Sequence, residues 1–161
     1  MNVPSWMQKK VVPSLFAAVG ISAVIAVDEN AAPATKIKVH ATPVPVDDSM
    51  HHLMEYVFEP AYLRLKELMK EEPKEKSGWS AIKGDSLTLA EASNLLLHRL
   101  PDKDADEWIK LAVATRTVGG EFYEAARKRN YTSAKDKYGL MLKSCNACHD
   151  KFAEGEHQLE Y

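Results

Sequence analysis

Five consecutive residues near the end of the chain, Cys145-Asn146-Ala147-Cys148-His149, have the types and spacing to do chemistry. They read C-x-x-C-H, the pattern that attaches a c-type haem. On a helix, two residues three apart sit on neighbouring turns of one face. Thiols so placed reach the two vinyl groups of one haem and form thioethers with them. The histidine that follows offers a neutral imidazole nitrogen to the iron. At about 100° per residue, Cys145, Cys148 and His149 fall within about 100° of each other. Tyr138, Met141, Leu142 and Phe152 are expected on that same face. The implied cofactor is haem c. Cys145 and Cys148 hold it, Phe152 lies against it and His149 ligates its iron.

Two other chemistries use C-x-x-C, a redox disulfide and half of a zinc site. Zinc wants four ligands, yet these cysteines are the only two in the chain, and no H-x3-5-H pair follows. A thioredoxin-like motif needs a βαβ setting, and the pattern contains none. In neither alternative does the adjacent histidine have a necessary role.

The chain has 161 residues, enough for one domain. With 27% charged and 45% hydrophobic residues it reads as a soluble globular protein. Net charge is −2 and there is no basic tract, which argues against nucleic acid as a partner. Lys9 and Lys10 precede an uncharged, mostly apolar run over 11–27. This predicts a signal peptide over 1–26, cleaved after Ala26. The alternative is an uncleaved N-terminal anchor that tethers the domain to a membrane. Either way the domain is exported, to the periplasm in a bacterium. That agrees with covalent haem attachment, which takes place on the outer side of the membrane.

Residues 27–46 are rich in Ala, Pro and Val without helical period and read as a flexible linker, His40 included. Four amphipathic helices follow within 47–154. The first starts at a cap, Asp48 or Ser49, and runs to about Lys70. Its apolar stripe is Met50, Leu53, Met54, Val57, Phe58, Ala61, Leu65 and Leu68, and Pro60 should kink it. The second runs from Gly78 or Trp79 to Leu100, where Pro101 stops it. The third, capped by Asp102 or Asp104, reaches Arg129 and carries Gly119-Gly120 in its middle. The fourth, capped by Thr132, carries the cysteine motif and ends near Glu154. A polar tail closes the chain over 155–161. Long helices joined by short turns predict an all-α fold, an up-down antiparallel four-helix bundle with haem bound near the C-terminal helix.

Residues 138–152, YGLMLKSCNACHDKF, resemble the closing stretch of the class II c-type cytochromes, the cytochrome c prime group. That stretch has an aromatic seven residues before the first cysteine and another three after the histidine; Tyr138 and Phe152 fill those places. Two positions depart from the family. Ala153 stands where a basic residue often follows the last aromatic, and Met50 where many members have Arg on the first helix. The resemblance implies one-electron transfer to and from redox protein partners, not enzymatic turnover. It also implies homodimers through the first two helices, and a distal haem face made by the first helix.

The second axial position separates the functions open to such a protein. On the first helix, with Met50 at zero, Met54 lies at about 40°, inside the stripe; His51 lies at about 100° and His52 at about 200°. Met54 is the expected second iron ligand, with a five-coordinate iron and His51 as the alternatives. An open site would make the protein a binder of nitric oxide or carbon monoxide. A peroxidase would need a placed His and Arg, but the first helix has no Arg before Arg64. His98 is expected beside the end of the second helix, and His157 in solvent.

Overall fold

The computed structural model describes residues 43–161. The expected signal segment, linker residues 27–42 and His40 lie outside the described residues. Helix α1 covers 50–68 in three pieces: an α-helical turn Met50–Leu53, a π-helical turn Met54–Phe58 and an α-helix Glu59–Leu68. Helix α2 is Lys76–Leu96, α3 is Ala105–Arg127 and α4 is Tyr131–Phe152. The described residues contain no strand, so the fold is all-helical. None of their helices is long and apolar enough to cross a membrane.

Ser49 starts α1 by accepting the His52 N–H at 3.2 Å, one of the two expected caps. Pro60 acts differently from a simple kink. A proline ring in an α-helix clashes with the carbonyl four residues back, here Tyr56. The chain relieves this by widening the turn just before it, and the Glu59 N–H bonds to the Met54 carbonyl five residues back. Helix α2 ends at Leu96 rather than Leu100. The N–H groups of Leu97, His98 and Arg99 turn tightly onto carbonyls three residues back. Trp108 Nε1–H then donates to the Leu96 carbonyl at 2.9 Å. Asn130, not Thr132, caps α4, accepting the Ser133 N–H at 3.0 Å.

The four helices pack against each other, each most closely on its neighbours in sequence. Helices α1 and α4 stand apart, with no Cα of one within 8 Å of a Cα of the other. Helices α2 and α3 approach each other closely at Gly119. A Cβ on Gly119 would lie 3.1 Å from the Ala90 backbone, so this glycine is where the two helices meet. Arg64 of α1 binds buried Asp85 of α2 through Nε and Nη2, at 2.6–3.1 Å.

The interior falls into two clusters. One is a closed core of Ala61, Leu65 and Met69 with Trp79, Ile82, Leu89, Phe122, Ala126, Tyr138 and Met141, among others. The other has four buried members, Leu53, Leu96, Trp108 and Ala112. Around them are half-buried Met50, Met54, Val57, Phe58, Leu97, Cys148 and Phe152.

Candidate haem site

The site is built on the last two turns of α4. Cys145 and Cys148 are both half-buried and unpaired. Burial pushes the Cys145 thiol up to about 12 and the Cys148 thiol above its ordinary value, so both stay protonated at neutral pH. His149, also half-buried, follows them on the same helix. Its Nδ1 lies 2.8 Å from the His157 carbonyl. That oxygen can only accept, so Nδ1–H is the donor, and in the neutral ring the lone pair then falls to Nε2. The His149 carbonyl accepts the N–H groups of Ala153 and Gly155, at 2.8 and 3.1 Å. The imidazole is thus held at both its backbone and its ring.

The expected face divides between the two clusters, and so do the thiols: Cys145 packs against the closed core and Cys148 against the other cluster. Phe152 meets Trp108 edge-on at 5.0 Å, in the half-open cluster with Cys148. Tyr138, Met141 and Leu142 belong to the closed core, where Tyr138 packs on Phe122 at 5.6 Å and on Tyr161 at 5.1 Å. The Tyr138 hydroxyl is buried and has no hydrogen-bond partner.

Across from α4, the π turn decides what α1 presents. One wide turn adds about one residue and so shifts the phase of everything before it by about 100°. At a uniform 100° per residue, Leu53 would be about 80° off the line of Ala61, and Met54 about 20° off it. With the extra residue Leu53 moves to within about 20°, and it is Leu53 that is buried, at 6% exposure. Met54 turns off that line and is half-buried, in the same cluster as Cys148 and Phe152. Met50 has the same standing in the cluster, a second thioether that the uniform wheel treated as packing.

The histidines of α1 face away from this place. His51 is 81% exposed and pairs with Glu55 at 3.3 Å. His52 bonds Asp47 at 2.7 Å, which raises the His52 pKa and lowers that of Asp47. His98 and the His157 side chain are exposed. Arg64 is held by Asp85 and belongs to the closed end. Beside the motif, Lys151 bridges to Asp104 at the start of α3, at 2.9 Å.

These residues fit a haem. They offer two unpaired thiols and an imidazole with one nitrogen oriented and the other free. Thioethers stand on the facing helix, and a rim of apolar side chains is left half-covered. Among the described residues no three of His, Cys, Asp or Glu come together closely enough to hold a bare metal ion. A shallow depression elsewhere, between α2 and α3 and lined by Leu87, Asn94, Arg116 and Lys128, includes none of the motif residues.

Residues 155–161 are more than a polar tail. They fold back along α4. Asn146, inside the motif, accepts the Leu159 N–H at 2.8 Å and donates to the Leu159 carbonyl at 3.0 Å. Tyr62 of α1 does the same with Glu160, at 3.1 and 3.0 Å. Tyr161 donates to the Lys135 carbonyl at 2.6 Å. The sequence signal for this was slight: one Asn inside the motif, and Leu159 and Tyr161 spaced two apart. No family model, curated protein or solved structure matches the chain.

Proposed function

We propose that the chain is an exported monohaem c-type cytochrome of class II type, acting in one-electron transfer with redox protein partners and not as an enzyme. The observation that carries this reading is the state of His149. Its Nδ1 is tied to a carbonyl and its Nε2 is free, on the helix that presents two unpaired thiols. In this reading Cys145 and Cys148 would hold the haem as thioethers, and His149 and Met54 would supply ligands to its iron. An up-down antiparallel bundle is the arrangement we infer. It is supported by the cluster that gathers the start of α1, the end of α2, the start of α3 and the end of α4.

When bound, the haem supplies the one-electron redox chemistry. The chain's part is to bind, orient and dry it. Phe152, Trp108 and Leu96 exclude water from one side of the open cluster, and Met50, Val57 and Phe58 from the α1 side. A low-dielectric setting reduces the rearrangement that accompanies a change of charge. Thioether ligation by Met54 favours the reduced state and raises the potential.

One observation favours a second reading. The π turn swings Met54 away from the buried line, and single π turns often sit at functional sites. A Met54 that stays off the iron leaves a distal site for nitric oxide or carbon monoxide.

Spectra and mass spectra of the purified protein test both readings. We expect one haem retained through acid-acetone extraction, an N-terminus near Val27 and a low-spin ferric spectrum. A high-spin spectrum with ready carbon monoxide binding selects the gas binder. An intact N-terminus in the membrane fraction replaces the cleaved signal by an anchor. Colourless protein holding zinc overturns the whole proposal.

A further inference from the structure

The tail makes an unusual set of contacts for a mostly polar segment of seven residues. Six of its hydrogen bonds run to side chains in the body of the protein: two between Leu159 and Asn146, two between Glu160 and Tyr62, Gln158 Nε2 to Asp150 at 2.9 Å, and His149 Nδ1 to the His157 carbonyl. Leu159 packs against the closed core, and Tyr161 lies edge-on to Tyr138 over Gly139. The turn that brings the tail back holds three residues in the left-handed region: Glu154 at φ 53°, Gly155 at 78° and His157 at 58°. For the two non-glycine residues this conformation is costly and persists only where the surroundings enforce it. What it achieves is the position of one oxygen. The His157 carbonyl meets His149 Nδ1, while the His157 side chain points into solvent at 77% exposure.

We infer that residues 155–161 form a strap that sets the electron-donating strength of His149, with Asn146 and Tyr62 as the positioning residues that clasp it. The inference rests on the haem reading above. Its chemistry is that of a ligand's outer shell. A carbonyl accepting the Nδ1 proton fixes the imidazole tautomer and makes Nε2 more basic. A more basic ligand favours the ferric state and holds the potential down. Asn146 holds Leu159 two residues beyond the carbonyl, and Tyr62 fastens the next residue to α1. The strap therefore also ties the haem-bearing helix to the helix that faces it, where the two backbones stand apart.

The test uses full-length holoprotein in three variants. Asn146→Ala removes both bonds to Leu159. Tyr62→Phe removes both bonds to Glu160 while keeping the ring, and it lies outside the motif, so it carries the test even where Asn146→Ala disturbs haem attachment. His157→Asn removes the imidazole but keeps the carbonyl, and Asn tolerates the left-handed conformation. Two quantities are read: the midpoint potential, and the exchange rate of the His149 Nδ1 proton by nitrogen-15 NMR of the ferrous protein. Haem content is measured alongside.

Asn146→Ala and Tyr62→Phe are expected to speed ring-proton exchange at least tenfold. They should also shift the one-electron equilibrium toward ferrous by up to about tenfold, an upward step of about 59 mV. His157→Asn should leave both readings at wild type. The inference is overturned by Tyr62→Phe protein that keeps its covalent haem with unchanged potential and exchange. It is equally overturned if His157→Asn shifts them, since the side chain would then be the active group. Wild-type protein without covalent haem sinks the cytochrome reading itself, and the inference with it.

Discussion

The two ends of this molecule are built to different standards. At one end thirteen buried residues from all four helices close on each other, with Leu65, Ile82, Phe122, Ala126, Ala134 and Tyr138 at 0% exposure. At the other only four residues are buried; each cluster is ringed by seven half-buried side chains, so the ring outnumbers the buried centre only in the smaller one. Side chains at native packing density leave few voids. Most of the fully buried side chains lie in the closed cluster, and the haem proposed above would add to the burial of the smaller one.

The largest effect should come from denying the open end its ligand. In the double variant Cys145→Ala/Cys148→Ala, haem should become extractable. Amide exchange over residues 50–58 and 148–152 should lose protection, while the segment around Phe122 keeps most of its own. Equal loss at both ends would show that the clusters fold as one unit and break the comparison.

Helix number, approximate helix limits and most of the closed core were legible in the sequence, because 3.6-residue periodicity reports burial directly. Ala61 and Leu65, on the apolar stripe of the first helix, and Tyr138, Met141 and Leu142, expected on the motif's face, are all buried. The motif was legible because its chemistry is local. Two features were not. The π turn changes the phase of α1 through the backbone, and a wheel drawn at constant pitch cannot register it. That is why Leu53, rather than Met54, holds the buried position. The strap escaped notice because its bonds are mostly between side chains and backbone groups, which leave no periodic pattern. A stretch such as GEHQLEY reads as solvated by composition alone.

The converse variant belongs to the closed end. Phe122→Ala removes a fully buried ring packed on Tyr138. It should cost about 3–5 kcal/mol in urea unfolding and leave the haem spectrum as in wild type. A change in spin state would mean that the two ends are coupled through α3.

The thioethers give a smaller effect on stability and a sharper one on chemistry. Met54→Ala and Met50→Ala each remove a half-buried side chain, so each should cost about 1 kcal/mol. Met54→Ala should also turn the ferric iron high-spin, lower the potential and open the site to carbon monoxide; Met50→Ala should do none of these. If the assignments reverse, the phase shift of the π turn has moved the ligand one helical turn toward the N-terminus. A low-spin spectrum that survives both but fails in His51→Ala would require the exposed His51 to leave Glu55.

The smallest effect tests whether the division of labour extends to single glycines on α3. Gly119 and Gly120 look alike in sequence, and either is a weak residue in a helix, about 1 kcal/mol below Ala. A Cβ on Gly120 meets nothing within 4 Å, so Gly120→Ala should stabilise the protein by about 0.5–1 kcal/mol. Gly119→Ala gains the same propensity but drives a methyl against the Ala90 backbone at 3.1 Å. Neither α2 nor α3 can move aside without disturbing Leu89 and Phe122 in the closed core. Overpacking of that kind costs about 1–3 kcal/mol, so the net change should be a loss of about 1 kcal/mol. Opposite shifts of the urea midpoint in the two variants are the expected result. A stabilised Gly119→Ala would mean that α2 and α3 yield at their closest point, and that the closed end is less rigid than its packing implies.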